Sequence, residues 1–455
     1  MVEMKTKAGS RAGRAAWINP RTLDAGIRDE IERIRVVDTH EHLEEEEKRL
    51  GQKARLSRFF VYYGSDDLAS TGLWGKNGQT FFDEKLSSEE QWKLIRDVWP
   101  LARNTAYSTA IRLSIKELYG VDDLADSTIG PLMKAVSARN KPGVINWALR
   151  EKCGIECCLV DSQETPPGDL CRETAHPGLF LFDLSAASLL TNDLDIGPYE
   201  KRSGISCSSL ADWKRLIDWY FERWGKRVVA VKNQCSYWRP LVFEDVPETT
   251  AAPLFEKWLL RKEKVTEQEK RMVQDYTYHH VIRRAIDLDL PLKIHTGYHA
   301  GTWYMNLDFT KPAGLAGLFR KYPTARFDLF HIGYPYQMEV IALAKHYPNV
   351  RVNMCWAWIM DPAASLEFAR SALGSLPSNK VFGFGGDYGY ADNVYGHLRI
   401  ARDGIALVLT EAVRQGRLTR ADAKVIARRW LRENAMEFFR IDRKRAIQLG
   451  RQPQT

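Results

Sequence analysis

The sequence has no run of about 18 apolar residues, so no segment is predicted to span a bilayer. Its first 25 residues are basic and rich in alanine but lack the apolar middle of a secretory signal, and residues 1–20 are predicted to be a flexible tail. Lysine and arginine are interleaved with acidic residues and form no block of one sign. The net charge of +8 therefore fits a solvated surface, or a small anionic substrate, and we expect neither nucleic acid nor a membrane as a partner.

Cysteine is scarce and shows no pairing pattern. The seven cysteines are odd in number and lack the paired spacing of a zinc finger, which favours a reducing compartment over a disulfide framework. Cys157 and Cys158 lie in an apolar run and are predicted to be small core residues. We therefore expect a cytoplasmic protein.

Short apolar runs bounded by turn residues recur along the chain, and helical patterns follow most of them. Several runs are apolar throughout, as in parallel strands that are covered on both faces. The predicted strands are Arg35–Asp38, Ile155–Asp161, Leu179–Leu184, Val228–Val231, Leu292–His295, Phe327–His331, Val350–Asn353 and Val381–Phe384. Eight such strands alternating with helices predict an α/β fold, the (β/α)8 TIM barrel.

The interval between the first two predicted strands is too long for a simple crossover. Within it, Trp92, Ile95 and Trp99 share one helical face, and Tyr107 to Tyr119 forms a second amphipathic stretch. Residues 43–150 are therefore predicted to be a helical cap inserted after strand 1, with the barrel formed by residues 21–42 and 151–440 and a tail over 441–455. Capping boxes at Thr266 and Thr419 predict helices that extend to about Ile286 and Phe439.

Histidines follow the predicted strands. In a TIM barrel the catalytic groups lie at the carboxyl ends of the strands. His40 and His42 end the first run in VVDTHEHL, and residues two apart on an extended segment project to the same side. His295, His331 and Asp387 follow the runs predicted as strands five, six and eight.

Imidazole and carboxylate groups together suit Zn²⁺, with Mn²⁺, Fe²⁺ or Co²⁺ as alternatives, and the lack of thiolate ligands favours an open catalytic site. These five residues are the predicted metal ligands, for one ion or two. Lys232 ends the fourth strand; it is either a surface residue or a pocket residue, and in the pocket it would be a carboxylated metal bridge or a cation for the substrate.

Residues near the strand ends are also candidates for substrate binding. Arg239 and Arg112 are predicted to grip a carboxylate, because an arginine can pair with both of its oxygens. Trp303 and Tyr304 follow strand five and are predicted to form an aromatic wall of the pocket.

The set of His-x-His after strand one, lysine after four, histidines after five and six, and aspartate after eight resembles the amidohydrolase superfamily. The stretches WPLARNTAYSTAIRLSIKELYGVDDL, IHTGYHAG, HIGYPYQMEVIALAKHYPNVRVN and NKVFGFGGDYGY are similar to the branch of amidohydrolase-2 proteins, which includes decarboxylases, and to the related uronate isomerases. The resemblance implies a metal-dependent barrel, often with one ion. Members with one ion commonly lack the bridging lysine, so Lys232 leaves the number of ions open.

The leading hypothesis is hydrolysis of an amide, lactone or related bond in a small, anionic substrate. Asp387 would accept the proton from a metal-activated water, and His331 would either be a ligand or hold the developing oxyanion. The alternatives are a decarboxylase or uronate-type isomerase on the same site, and a barrel that has lost catalysis and acts as a scaffold. We expect a homo-oligomer, because barrels of this kind often associate.

Overall fold

The computed structural model describes residues 17–73, 76–161, 174–191, 193–260 and 264–451. At its centre is one sheet of eight parallel strands in the order of the sequence. The strands are β1 (Val36–Glu41), β2 (Ile155–Asp161), β3 (Phe180–Ser185), β4 (Ala230–Asn233), β5 (Leu292–Ile294), β6 (Phe327–Leu329), β7 (Val350–Asn353) and β8 (Val381–Phe382). The predicted (β/α)8 barrel is confirmed, and each predicted apolar run overlaps an observed strand.

The barrel closes between its last and first strands, although β8 has only two residues. Three backbone hydrogen bonds beyond the end of β8 make this closure. Thr39 N–H donates to the Phe384 carbonyl at 3.3 Å, Asp387 N–H to the His40 carbonyl at 2.9 Å, and His42 N–H to the Tyr388 carbonyl at 3.0 Å. The chain segment that carries Asp387 therefore lies directly against the segment that carries the His-x-His pair.

Helices pack around the strands because each has an apolar face to bury. Helix α13 (Glu267–Asp287) begins after the predicted capping box, in which Thr266 and Glu269 each cap the other's backbone N–H. The barrel helices are α1 (Ala25–Arg33), α10 (Gly197–Ser203), α11 (Leu210–Trp224), α12 (Glu248–Leu260), α13 (Glu267–Asp287), α14 (Ala316–Lys321), α15 (Gln337–His346), α16 (Ala357–Met360), α17 (Pro362–Ser375) and α18 (Ala391–Arg414).

The long interval after β1 is helical and has its own apolar cluster. Trp92, Ile95 and Trp99, predicted to share a face, are all buried in that cluster. The segment contains α2 (Glu46–Leu50), α3 (Gly64–Ser70), α4 (Lys76–Phe81), α5 (Ser88–Ile95), α6 (Trp99–Ala102), α7 (Ala106–Tyr119) and α8 (Ile129–Arg139), then α9 (Val144–Asn146) and a π-helical turn, Trp147–Cys153, that leads into β2.

Both chain ends differ in part from the predicted tails. Residues 1–16 lie outside the described residues, but the backbone N–H of Trp17 donates to Asp403 at 2.9 Å. After the predicted capping box at Thr419, the chain forms α19 (Arg420–Arg428), a π-helical turn, α20 (Asn434–Phe438) and α21 (Ile441–Gln448). The segment 441–448 is thus a helix, because Ile441 and Lys444 are buried under the barrel. The prediction of a tail from residue 441 is corrected accordingly.

No helix in the described ranges is long and apolar enough to cross a membrane. The six described cysteines are buried and free, including Cys157 and Cys158 in β2. Cys171 lies outside the described residues.

Candidate metal centre

The His-x-His pair at the end of β1, His40 and His42, meets Asp387 at the carboxyl end of the barrel. Oδ1 of Asp387 lies 3.2 Å from Nε2 of His40 and 3.0 Å from Nε2 of His42. Burial raises the pKa of Asp387, but the two imidazoles more than offset it and hold that pKa well below the ordinary value. The result is an ionised carboxylate facing two ring nitrogens, an arrangement that fits a divalent cation.

His295 and His331 form a second pair of histidines, and their hydrogen bonds show more directly why a cation fits. Nδ1 of His331 lies 3.0 Å from the Cys355 carbonyl, and Nε2 of His295 lies 2.9 Å from the Tyr298 carbonyl. A carbonyl only accepts, so each of these nitrogens must carry the proton of a neutral ring. The remaining nitrogens, Nε2 of His331 and Nδ1 of His295, face each other at 3.1 Å.

Two lone pairs at that separation repel unless something positive lies beside them. Burial lowers the pKa of His331 to about 4 and that of His295 well below its ordinary value, so protonation is disfavoured at neutral pH. Histidine ligands of metals usually have their other nitrogen held by a backbone carbonyl or a carboxylate, as here. Both rings are therefore set up to donate lone pairs to a cation.

Two further side chains of this centre, Asp161 and Cys355, were not among the ligands predicted from the sequence. Ligand atoms of His40, His42 and Asp161 all lie within 4.8 Å of one another, and so do those of His331, Cys355 and Asp387. Asp161 ends β2, and its Oδ2 accepts a hydrogen bond from Gln234 at 2.6 Å. Its position as an acidic residue that closes an apolar run was the signal that could have identified it.

The backbone is strained at two residues of the centre. His331 and Asp387 have φ values of 62° and 61°, in the left-handed region that residues other than glycine rarely adopt. Such strain costs of order 1–3 kcal/mol per residue and persists only where surrounding contacts enforce it. At Asp387 those contacts come from β1.

Two buried carboxyl groups of β1 hold the segment around Asp387. Asp38 accepts from the Gly386 N–H at 3.0 Å, and Glu41 accepts from the Tyr388 N–H at 2.7 Å. Burial and the neighbouring Asp38 raise the pKa of Glu41 well above its ordinary value. A Cβ on Gly386 would lie 1.9 Å from Oε1 of Glu41, so only glycine fits there.

Lys232 is buried at the centre rather than exposed on the surface. It is 1% exposed, its Nζ lies 3.3 Å from Nε2 of His40, and the same atom lies 4.0 Å from the centre of the Phe330 ring. Burial lowers its pKa. The surface alternative is thus wrong, whereas carboxylation and substrate binding both stay predictions.

A cavity of about 600 Å³ opens above the centre. Its volume is typical of a small-molecule site. Most of its polar lining groups are uncharged hydroxyl, indole and amide groups. The lining residues are His40, His42, Tyr62, Tyr63, Ser185, Ala187, Ser188, Thr191, Lys232, Gln234, Tyr237, Trp238, His295, Ala300, Tyr304 and Asp387.

The predicted role of Arg239 is wrong. Its side chain is 1% exposed, pairs with Asp275 of α13 and donates to the Gln274 side chain and the Val242 carbonyl. It does not line the cavity. These bonds commit the guanidinium to joining the β4 loop to α13, which is a structural role.

The other three residues predicted to bind substrate lie in different places relative to the cavity. Arg112 is on α7 of the cap, pairs with Asp123 and does not line the cavity, so its predicted role is also corrected. Trp303 is 85% exposed and lines a smaller neighbouring cleft instead of the cavity. Tyr304 does line the cavity, where its ring centre lies 6.2 Å from that of Tyr237.

Part of the chain is similar in sequence to known proteins. The family model described as amidohydrolase matches residues 257–441, which contain β5 to β8 with His295, His331 and Asp387. Protein fluG of Emericella nidulans is 29% identical over 153 residues. That alignment covers 33% of this chain and only 18% of the fungal protein.

Solved structures match over nearly the whole chain. A uronate isomerase from Thermotoga maritima has a TM-score of 0.77 at 14% identity and covers 93% of this chain and 100% of its own. A glucuronate isomerase from Caulobacter crescentus has a TM-score of 0.77 at 13% identity, covering 94% and 97%. A putative metal-dependent hydrolase from Lactobacillus casei has a TM-score of 0.62 at 18% identity, covering 93% and 99%.

Residues 257–441 match the amidohydrolase family model, and the solved structures show that the chain has the TIM-barrel fold. At these identities the solved structures establish the fold alone. The strand ends of this barrel bring together two groups of side chains able to hold a metal ion.

Proposed function

We propose that this chain is a metal-dependent hydrolase that cleaves a C–N or C–O bond beside a carbonyl, as in an amide or lactone, in a small substrate. The observation that carries the proposal is the convergence of histidine and carboxylate ligand atoms below a cavity of about 600 Å³. A site with metal ligands at the base of an open cavity is typical of catalytic metal centres.

The residues present fit a divalent cation. His40 and His42 would hold it with Asp387 and Asp161, and this set of nitrogen and oxygen ligands suits Zn²⁺ best, with Mn²⁺, Fe²⁺ or Co²⁺ as alternatives. When bound, such an ion lowers the pKa of water and polarises a carbonyl. Oδ1 of Asp161 is buried with no hydrogen-bond partner among the described residues, which is costly unless a cation offsets it.

Asp387 is the group best suited to accept the proton released by the attacking water. Its carboxylate is 5% exposed and lines the cavity. The neighbouring imidazoles keep its pKa well below the ordinary value, so it is ionised at neutral pH. The clamp by Asp38 and Glu41 fixes where that carboxylate points.

For His331, the ligand role is favoured over the oxyanion role. An oxyanion needs an N–H donor, but neutral His331 uses its N–H toward the Cys355 carbonyl and presents a lone pair toward Asp387 and His295. Burial holds its pKa near 4, which disfavours the protonated form that would donate. A lone pair is what a cation requires.

The substrate is expected to be polar, small and at most weakly anionic. Lys232 is the one lysine or arginine that lines the cavity within the described ranges, so a single carboxylate would have one partner there. Tyr237 and Tyr304 offer aromatic surface, and Gln234 offers an amide. This revises the expectation of a carboxylate held in an arginine fork.

Isomerisation of a sugar acid is the second candidate, because the likeness to the two uronate isomerases includes the cap as well as the barrel. Decarboxylation would use the same ligands. A barrel without catalysis is the remaining alternative, and it predicts less than about a tenth of an equivalent of metal after reconstitution.

The test is to purify the protein, reconstitute it with Zn²⁺, Mn²⁺ or Co²⁺, and assay lactones, amides, uronates and aromatic acids in ¹⁸O-labelled water. Hydrolysis predicts one solvent oxygen in the product. Turnover of a uronate or an aromatic acid without that oxygen would replace hydrolysis by isomerisation or decarboxylation.

The matched variants are His42→Ala, which should lose the ion held at His40 and His42 together with turnover, and His346→Ala, which changes an exposed histidine on α15 and should keep both. Equal activity of the two variants would contradict the proposed site.

A further inference from the structure

Cys355 is the buried group of this centre that the proposed reaction leaves unused. It follows β7 at the carboxyl end of the barrel and is fully buried. Its Sγ, a ligand atom of His331 and a carboxylate oxygen of Asp387 lie within 4.8 Å of one another. Among the described residues, it is the one thiol that belongs to such a group.

The backbone around Cys355 is fixed by the same centre. Its N–H donates to the Asn353 side chain at 3.0 Å, and its carbonyl accepts from His331 at 3.0 Å. A Cβ on Gly385 would lie 2.9 Å from Sγ, so the glycine keeps space beside the sulfur. The thiol is therefore held beside the ring of His331, near the lone pair of that ring.

The two oxygens of Asp387 face different groups of ligands. Oδ1 lies within 3.2 Å of the two β1 histidines, whereas Oδ2 lies 3.9 Å from Nε2 of His331. The same Nε2 of His331 lies 3.1 Å from Nδ1 of His295. A carboxylate has about four lone-pair positions, so it can join two cations and still accept a proton.

We propose that Cys355 is a thiolate ligand of a second divalent ion, which it holds together with His331, His295 and Oδ2 of Asp387. The inference rests on the proposed function, since it adds a second ion beside the one at His40 and His42. When the ion binds, the Cys355 S–H bond breaks, the proton leaves to solvent and the sulfur lone pair binds the metal. A sulfur ligand makes this position selective for Zn²⁺ or Co²⁺ over Mg²⁺ and Mn²⁺.

The usual alternative for a buried cysteine is simple packing as a small hydrophobic residue. Packing accounts for Cys153, whose thiol lies in the apolar core and is in neither group of possible ligands. It leaves the facing lone pairs of His295 and His331 unexplained, whereas a cation bound by the thiolate and both rings accounts for the three side chains together.

The experiment titrates the metal-free full chain with Co²⁺ and follows the sulfur-to-cobalt charge-transfer absorption in the near ultraviolet, while metal analysis gives the number of ions bound. We expect the wild-type chain to show the band and to bind two equivalents. Cys355→Ser and Cys355→Ala should lose the band and one equivalent, with the other retained. The control Cys153→Ser should keep both.

The outcomes separate the two proposals. No charge-transfer band in the wild-type chain, or a band and stoichiometry unchanged in Cys355→Ser, overturns the role of Cys355. If the chain then still binds one equivalent and hydrolyses a substrate, the proposed function survives. A chain that binds no Co²⁺ at all overturns both. Because the band is read first on the unmodified protein, a variant that fails to fold does not prevent a decision.

Discussion

The contact between Gly386 and Glu41 gives the sharpest stability prediction. In Gly386→Ala the new Cβ would lie 1.9 Å from Oε1 and 2.7 Å from Cδ of Glu41. Glu41 is fully buried and accepts from the Tyr388 N–H at 2.7 Å, so it cannot move aside without breaking that bond. Either Glu41 or the segment that carries Asp387 must shift.

The cost follows from two effects. Overfilling a packed interior costs about 1–3 kcal/mol. A buried N–H or carboxyl group left without its partner adds about 1–3 kcal/mol. We therefore expect Gly386→Ala to lower the free energy of unfolding by about 4 kcal/mol, the middle of the summed range. The displaced Asp387 should also weaken metal binding.

The assay is urea unfolding of the metal-free chain, because a bound ion would add its own stabilisation. Gly374→Ala is the matched control: this glycine lies exposed in α17, and a Cβ there meets nothing within 4 Å. It should stabilise the chain by about 0.5–1 kcal/mol.

A double variant checks the cause. On a Glu41→Ala background, Gly386→Ala should cost clearly less than it does in the wild type, because the clashing carboxyl is gone. If Gly386→Ala unfolds at the same urea concentration and with the same slope as Gly374→Ala, the clamp reasoning is refuted.

Four further changes test the site. His42→Ala should abolish binding of the ion at His40 and His42, whereas Asp387→Asn should reduce turnover more than metal content; equal metal loss by elemental analysis would contradict the proton-accepting role. Lys232→Ala should leave metal content unchanged if this lysine binds substrate, and an intact mass that is higher by CO₂ in the wild type would instead indicate a carboxylated bridge. Arg239→Ala should lower stability by about 3–5 kcal/mol, because Asp275 loses its buried partner. Its KM per folded molecule should not change, and a large rise in KM would restore the substrate role.

Much of the fold was predictable because each parallel strand is covered on both faces and so reads as an apolar run. The eight runs, and the capping boxes at Thr266 and Thr419, depend only on neighbouring residues. Helix α21 was missed for the converse reason. Only Ile441 and Lys444 are buried in it, too few to give a helical period among its charged residues.

The residues of the site also divide into those that a local sequence pattern predicts and those that it does not. His295 and His331 were predictable because they lie within two residues of a strand end, where the barrel brings side chains together. Arg239 also follows a strand, but its partner Asp275 is 36 positions away on another element, and no local pattern shows that pairing. The sequence likewise gave no sign that Cys355 lies beside His331.

The short last strand has a consequence for how the barrel holds together. Since β8 offers only two residues, the seam between the chain's first and last strands depends on three hydrogen bonds and on the side chains around Asp387. An ion shared by β1 and Asp387 would act there as a staple, fastening segments that lie 347 positions apart. Removing the metal should therefore loosen the seam first, and amide hydrogen exchange at Thr39, His42 and Asp387 should speed up before exchange elsewhere in the barrel.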